Sequence, residues 1–295
     1  MRGYLPEFEY FQPSSLKDLL ELLDSLEGEV RLLAGGTDLI PAMREKGLTP
    51  RHLVSLRNLA NDLSYIKMDY EDGKKVLRIG ALTTIHSIEV SEALDQKFYI
   101  LKEAASQLGT YQIRNRATLG GNLCNASPAA DMATSLLALN SRLILLSLEG
   151  EREVPINEFF LGPGKAALKR NEILKEVVVE EPRSLGSSFL KVSRKAVGLA
   201  IVNVACYLEL TNQVVDNIRI ALGAVAPTPV RATSLEKELI GMRIDDIDLA
   251  EACKKIDEDI KPISDVRASE EYRRHLSRVL AERAVKISLE RAVCK

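Results

Sequence analysis

Two glycine pairs stand where the sequence predicts a turn into a helix, Gly35-Gly36 and Gly120-Gly121. A helix begins with unpaired backbone N–H groups and the positive end of its dipole, and glycine has no Cβ to obstruct a phosphate. Two such turns side by side fit one pyrophosphate. The alternative is a purely structural role, because a Gly-Gly pair also lets a strand turn sharply into a helix.

The residues around these pairs exclude two common nucleotide-binding motifs. No Gly-Lys-Ser/Thr follows either pair, so neither is a Walker loop. Neither pair matches the G-x-G-x-x-G fingerprint of nicotinamide dinucleotide sites. Any phosphate binding here is therefore of another kind.

Side chains that bind metals or act as nucleophiles are few and scattered. None has the close spacing of a zinc or iron–sulfur site: Cys124, Cys206, Cys253, Cys294, His52, His86 and His275. Trp is absent and aromatic residues make up 5% of the chain, which argues against a base-stacking or carbohydrate-binding face. We predict no metal site and no catalytic side chain, so the chemistry would come from a borrowed cofactor.

Length and charge narrow the class of protein. The 295 residues, of which 46% are hydrophobic, predict two domains. Forty basic and 42 acidic residues give a net charge of -2, which argues against a dedicated nucleic-acid binder. No apolar run has the length of a membrane span and the first residues do not resemble a secretory signal, so we expect a cytoplasmic protein.

The elements around the first glycine pair form a predicted βαβ unit. An amphipathic helix begins near Leu16, with Ser15 and Asp18 spaced as a capping box. An apolar strand at residues 30–34, the glycine turn, a helix from about Thr37 to Gly47 and a strand at 52–56 follow. This order predicts a parallel, right-handed unit that is too small for a full Rossmann domain.

The middle of the chain changes to an antiparallel pattern. Asp72-Gly73 predicts a turn into an alternating strand, and short helices follow near Thr84 and up to Gly109. After Gly120-Gly121, Ser127, Pro128 and Asp131 signal a helix that leads into a buried strand at 143–148. The second glycine turn is thus predicted to repeat the arrangement of the first.

The last third predicts a second α+β domain. Three strand patterns, closed by Pro227 and Pro229, favour a three-stranded antiparallel meander, and the remaining residues are helical. The domain boundary is expected between Lys175 and Ser184.

The combination of four segments resembles a known family: LLAGGTDL at 32–39, IRNRATLGGNLCNASPAAD at 113–131, LKVSRKAVGLAIVNVA at 190–205 and ALGAVAPTP at 221–229. The chain is similar over essentially its whole length to the FAD-binding medium subunit of molybdenum hydroxylases, the family of xanthine dehydrogenase flavin subunits and carbon monoxide dehydrogenase medium chains. The resemblance implies an α+β fold with an FAD-binding domain of the vanillyl-alcohol-oxidase/PCMH type at 1–178, divided into subdomains 1–56 and 57–178. A C-terminal domain of the carbon monoxide dehydrogenase flavoprotein type, with a three-stranded antiparallel sheet and a helical bundle, would occupy 179–295.

The resemblance also implies a set of FAD contacts. The first loop would surround the pyrophosphate with Leu32, Leu33, Ala34, Gly35, Gly36, Thr37, Asp38 and Leu39, the N–H groups of residues 34–37 acting as donors. Asp38 would cap the following helix or reach a polar group of the cofactor. The second segment would add Thr118, Gly120, Gly121 and Asn122.

Four further residues match family positions near the cofactor. Asp131 would hold the ribityl or adenosine side, although a first-turn carboxylate is also favoured by the helix dipole alone. Leu108 and Ile173 would be apolar contacts or ordinary core. Lys191 would lie beside the isoalloxazine and raise its potential, the alternative being an exposed strand lysine whose stem lies on the sheet.

Four other residues leave alternatives open. Arg114 and Arg116 either help to neutralise phosphate or are solvated loop arginines. Many relatives have a carboxylate where this chain has Gly198, which affects any inference about NAD as acceptor. Cys124 follows the second glycine pair and is interpreted as a small buried residue, with a redox role as the alternative.

The implied function is the FAD-binding subunit of a multi-subunit molybdenum-dependent hydroxylase or dehydrogenase. Its partners would be a molybdopterin-binding large subunit and a [2Fe-2S] small subunit, and electrons would pass to NAD, quinone or another acceptor. The alternatives are a stand-alone flavin-dependent reductase or oxidase of the same fold, and a nucleotide-binding scaffold without turnover.

Overall fold

Residues 4–293 are described by the structure, a computed structural model, and the first of them build a three-stranded parallel sheet. Its elements are β1 (Glu9–Phe11), α1 (Leu16–Ser25), β2 (Val30–Leu33), α2 (Leu39–Glu45) and β3 (His52–Ser55). The spatial order is β1-β3-β2, so β3 is the central strand. The predicted parallel βαβ unit is confirmed, whereas β1 was not predicted.

Local chemistry explains the start of α1. The Ser15 hydroxyl accepts a hydrogen bond of 3.1 Å from the Asp18 backbone N–H, which satisfies one of the free donors of the first turn. Leu19, Leu20 and Leu23 then face the sheet and are buried. The predicted capped amphipathic helix is confirmed.

The middle of the chain forms an antiparallel five-stranded sheet with helices on one face. The elements in chain order are α3 (Ala60–Leu63), β4 (Ile66–Glu71), β5 (Lys74–Gly80), α4 (Ile85–Val90), α5 (Tyr99–Ser106), α6 (Tyr111–Arg114), α7 (Leu119–Cys124), α8 (Asp131–Ala138), β6 (Arg142–Ser147), β7 (Gly150–Pro155), α9 (Ile156–Phe159), the hairpin strands β8 (Phe160–Gly162) and β9 (Lys165–Ala166), and β10 (Ile173–Glu180). The spatial order of the sheet is β4-β5-β10-β6-β7. The β4–β5 turn is the predicted one, with positive φ at both Asp72 and Gly73.

The last third forms a second antiparallel sheet covered by helices. Its elements are β11 (Ser187–Ser193), β12 (Ala200–Thr211), β13 (Val214–Gly223), β14 (Val230–Arg231), α10 (Thr233–Leu239), α11 (Leu249–Ala252) and α12 (Glu270–Val293). The sheet has four strands in the order β11-β12-β13-β14. The prediction of three strands missed β14, because the two residues directly after Pro229 are too few to show an alternating pattern.

Short 3-10 turns complete the described secondary structure. They cover Arg57–Leu59, Gln96–Phe98, Ile244–Asp246 and Cys253–Glu258. The strand β10 runs across the expected domain boundary between residues 178 and 179. No helix within residues 4–293 combines the length and apolarity needed to cross a membrane.

The two antiparallel sheets share a layer of helices between them. Helices α5 and α8 pack on the five-stranded sheet and also contact β11, β12 and β13. The opposite face of the four-stranded sheet is covered by α10 and α12. Polar side chains on the inner face of β12 can therefore be buried against α8.

Candidate cofactor site

The loop between β2 and α2 presents free backbone donors. Within residues 4–293 the N–H groups of Ala34, Gly35, Gly36, Thr37 and Asp38 donate to no protein acceptor. The first hydrogen bond after this stretch is from Ile40 N–H to Gly36 O at 3.1 Å. Free N–H groups at the turn into a helix are able to bind an anion such as phosphate.

Both glycines of this loop are required by its geometry. Gly36 has a φ of +75°, a left-handed conformation that glycine adopts without steric cost. A Cβ on Gly35 would lie 1.9 Å from the carbonyl oxygen of Arg116. The loop is therefore packed directly on the backbone just before the second glycine pair, so the structure brings the two predicted segments together.

The second glycine pair is not a turn in front of a helix, and that prediction was wrong. Gly120 and Gly121 lie in the first turn of α7, which Thr118 caps by accepting a 3.1 Å hydrogen bond from Gly121 N–H. Gly120 N–H donates to Ala81 O at 2.8 Å, and a Cβ on Gly120 would lie 2.8 Å from that oxygen. Gly120 is thus needed for packing against the end of β5, and these amides are already satisfied.

One polar atom of the second segment is buried without a partner. Asn122 Oδ1 has no hydrogen-bond donor among the described residues. A buried acceptor left unpaired costs about 1–3 kcal/mol, so such an atom is expected to meet a ligand. Five free donors and one free acceptor fit a diphosphate ester that also carries a hydroxyl or amide group, which is the chemistry of FAD.

The other residues of the first loop occupy different places. Leu32 and Leu33 end β2, Leu39 begins α2, and Leu32 and Ala34 pack against the core of the parallel sheet. Asp38 makes no side-chain capping bond, so the predicted cap is wrong. Burial raises the pKa of its carboxyl group. The other predicted role, contact with a polar group of the cofactor, stays a prediction.

Lys191 and Asp131 form a buried ion pair. Lys191 Nζ lies 2.6 Å from Asp131 Oδ2 and donates a second bond of 3.0 Å to Gln107 O. Their side chains are only 4% and 6% exposed. The alternative of an exposed strand lysine is excluded, and Leu190 and Val192 pack on the opposite face of the sheet as expected. Asp131 is the first residue of α8, so the alternative in which the helix dipole favours it also agrees with the structure.

A third residue, Asn203, also binds Asp131, and the sequence analysis missed it. Asn203 is fully buried on β12 opposite Lys191, and its Nδ2 donates to Asp131 Oδ1 at 2.7 Å. Thr134 Oγ1 donates in turn to Asn203 Oδ1 at 2.9 Å. A single Asn in the apolar run AIVNVACYL was the available signal, because a buried amide needs partners.

Burial and hydrogen bonding act in opposite directions on Asp131. Burial raises the pKa of its carboxyl group, whereas the Lys191 ammonium and the Asn203 amide lower it. The carboxylate therefore depends on these two partners to stay ionised.

Two apolar residues proposed as contacts lie in separate parts of the core. Leu108 follows Gln107, whose carbonyl oxygen accepts from Lys191, and it packs with the helices between the antiparallel sheets. Ile173 packs instead with Leu32 and Ala34 beside the first loop. The predicted residues thus form two groups, one at the loop and one at the Lys191–Asp131 pair.

The two arginines before the second glycine pair differ in whether their side chains are free to bind an anion. Arg114 is bound to Glu89, with Nε 2.8 Å from Oε2, and also donates to Gly109 O at 3.1 Å. Arg116 is exposed, and no ion pair of the described residues includes it. Since its backbone touches Gly35, Arg116 is the arginine placed to meet an anion at the first loop.

The described cysteines do not form a metal or redox site. Burial raises the pKa of Cys124, Cys206 and Cys253 to about 12, so their thiols are protonated at neutral pH. No group of three or more His, Cys, Asp or Glu side chains within residues 4–293 is arranged to hold a metal. Cys294 lies outside the described residues.

Comparison with known proteins agrees with this geometry. Residues 6–182 match the family described as "FAD binding domain in molybdopterin dehydrogenase", and residues 187–287 match "CO dehydrogenase flavoprotein C-terminal domain". The chain therefore belongs to the family of FAD-binding subunits of molybdopterin dehydrogenases. It is an oxidoreductase flavoprotein subunit with FAD as its cofactor.

Relatives cover nearly the full chain. The glyceraldehyde dehydrogenase medium chain of Sulfolobus acidocaldarius is 34% identical, covering 96% of this chain and 99% of its own. The xanthine dehydrogenase FAD-binding subunit of Escherichia coli O157:H7 is 34% identical, covering 94% of each chain. A chain of reconstituted CO dehydrogenase from Oligotropha carboxidovorans superposes with a TM-score of 0.92 at 32% identity, covering 98% of this chain and all of that one.

Proposed function

We propose that this chain is the electron-transferring FAD subunit of a multi-subunit molybdenum-dependent hydroxylase or dehydrogenase. The observation that carries the proposal is the run of five free backbone donors at residues 34–38, packed against the second glycine segment. FAD, when bound, supplies the capacity to accept electrons singly and to release them in pairs.

The residues have distinct parts in this function. The amides of the first loop would hold the diphosphate, and the free Oδ1 of Asn122 would accept from a polar group of the cofactor. The ammonium of Lys191, which Asp131 holds in place, would stabilise negative charge on the flavin ring. Leu108 and Ile173 are buried and would supply apolar contacts.

Partner chains follow from the family to which this chain belongs. Electrons would enter from a [2Fe-2S] small subunit, and the substrate would be oxidised on a molybdopterin-binding large subunit. The medium-chain relatives, one of them from a glyceraldehyde dehydrogenase, support this division of labour.

The domain and cellular assignments complete the proposal. Residues 1–178 would form the FAD-binding domain, with subdomains 1–56 and 57–178, and residues 179–295 the C-terminal domain. The two family matches, to 6–182 and 187–287, are in keeping with this division. We place the assembled complex in the cytoplasm.

Cofactor selectivity provides the direct test. The purified chain, incubated separately with FAD and FMN and then desalted, is expected to retain about one FAD per chain and to release FMN, because FMN lacks the diphosphate that the first loop binds. The measurement is the visible absorption spectrum with chromatography of the released cofactor. Equal retention of both flavins would contradict the loop assignment, and reduction of the bound FAD by a reduced [2Fe-2S] partner tests the electron transfer.

Arg116 is expected to add a salt-dependent contribution to FAD binding. Arg116→Ala should weaken FAD binding about fivefold at low ionic strength, or about 1 kcal/mol, and the difference should fade as salt screens the exposed charge. Titration of FAD fluorescence at two salt concentrations measures this. Arg283→Ala, which removes an exposed arginine from α12, is the matched control and should bind as the wild type does.

A further inference from the structure

A chain of hydrogen bonds stands behind the Lys191–Asp131 pair. Asp131 uses one carboxylate oxygen for Lys191 and the other for Asn203, at 2.6 and 2.7 Å. Thr134 donates to the carbonyl oxygen of the Asn203 side chain, which fixes the amide with its NH₂ group toward Asp131. The amide orientation is therefore determined by its surroundings.

The backbone of β13 makes room for this amide. A Cβ on Gly223 would lie 2.2 Å from Asn203 Oδ1 and 2.8 Å from Thr134 Oγ1. Gly223 lies directly opposite Asn203 in the β12–β13 register. The hydrogen bond from Asn203 to Asp131 thus depends on two further residues: Thr134, which orients the amide, and Gly223, which leaves space for it.

We infer that Asn203 is a positioning residue for the flavin site: its amide keeps Asp131 ionised with one oxygen directed at Lys191, and so holds the Lys191 ammonium in place. This inference rests on the proposed FAD function and extends it to a residue whose side chain, among the predicted cofactor contacts, hydrogen-bonds to Asp131. Among the described contacts of Asp131, Lys191 is the charged partner and Asn203 the neutral one.

The physical reason is the cost of an unpaired carboxylate oxygen. Asp131 is buried, so loss of the Asn203 donor leaves Oδ1 without a partner and favours uptake of a proton. A protonated Asp131 no longer neutralises Lys191, and the local charge becomes more positive. This change in local charge is opposite in sign to the change caused by removing Lys191, which makes the site more negative.

The test is a double-mutant cycle read out by the flavin midpoint potential of the FAD-loaded full chain. Asn203→Leu, which has a similar side-chain volume, should shift the potential to more positive values and weaken FAD binding about tenfold. In the Asp131→Asn background the same substitution should give no further shift. Asn217→Leu is the control, since Asn217 donates to Glu209 on the same sheet in the same way but does not touch Asp131.

The outcomes separate this inference from the proposed function. An unchanged or more negative potential in Asn203→Leu, or an equal shift in the Asp131→Asn background, overturns the role of Asn203. If that variant does not fold, Thr134→Val removes the hydroxyl that orients the Asn203 amide and should give a smaller shift of the same sign.

Failure of the wild-type chain to retain FAD would overturn the proposed function alone. In that case infrared spectra of the ¹³C-aspartate-labelled chain without flavin test the inference. A protonated carboxyl band should appear in Asn203→Leu, be absent from the wild type and disappear when Asp131→Asn is added. Identical spectra for the wild type and Asn203→Leu would overturn it.

Discussion

Gly35→Ala is expected to abolish FAD retention and to lower the free energy of unfolding by about 3 kcal/mol. The added Cβ would lie 1.9 Å from the Arg116 carbonyl oxygen, and this neighbour is backbone that has no rotamer with which to move away. The two segments must therefore separate, which displaces the free amides from the second segment. Urea unfolding and the flavin content after desalting measure the two effects.

Gly47 provides the matched control for this substitution. Gly47→Ala puts a Cβ into open space at the end of α2, where φ is +70°, and should cost about 1 kcal/mol without loss of FAD. Normal FAD content in Gly35→Ala would show that contact between the two segments is not needed for binding.

Lys191→Met is expected to cost about 3–5 kcal/mol at neutral pH, because it leaves the buried Asp131 carboxylate without its counter-ion. Burial already raises the pKa of Asp131, and loss of the cation raises it further. In the folded variant the ionised form is therefore penalised relative to the unfolded chain. The loss of stability relative to the wild type should be largest at neutral pH and shrink as the pH falls and Asp131 takes up a proton.

Urea unfolding of the two proteins over a range of pH checks this sign. Lys191→Met/Asp131→Asn should recover part of the stability at neutral pH, since it removes the unpaired charge. With FAD bound, Lys191→Met should also give a more negative flavin midpoint potential, because a cation beside the ring is lost. A loss of stability that does not vary with pH would mean that Asp131 is not the group left uncompensated.

These two substitutions probe different halves of the site. Gly35 lies where the first loop packs against the second segment, and a side chain there would push the two apart. Lys191 concerns a charge held between a helix and a strand of the second antiparallel sheet.

The sequence by itself determined the elements whose cause is local. The capped helix after Ser15, the Asp72-Gly73 hairpin and the parallel βαβ unit follow from the chemistry of neighbouring residues. The glycine motifs in combination also led to the family, which the comparison with known proteins confirmed. Signals of this kind involve residues only a few positions apart, so they can be recognised from the sequence without knowledge of the fold.

The tertiary structure alone decided which groups are available to a ligand. The amides of the first loop are free, whereas those of Gly120 and Gly121 are satisfied by Ala81 and Thr118. This difference depends on the end of β5, about forty residues earlier in the chain than Gly120. Gly121 has a local partner, Thr118, but the partner of Gly120 comes from a distant part of the chain, and the sequence alone does not reveal it.

The Lys191–Asp131 pair is the clearest example of a contact that the sequence alone does not reveal. Lys191 and Asp131 were each matched to the cofactor separately, but they are 60 residues apart and bind each other in the fold. Asn203, 72 residues from Asp131, had no motif to identify it. Whether a charge is exposed, paired or held by a third residue depends on which faces of α8, β11 and β12 meet, and only packing of the helix layer between the two sheets determines that.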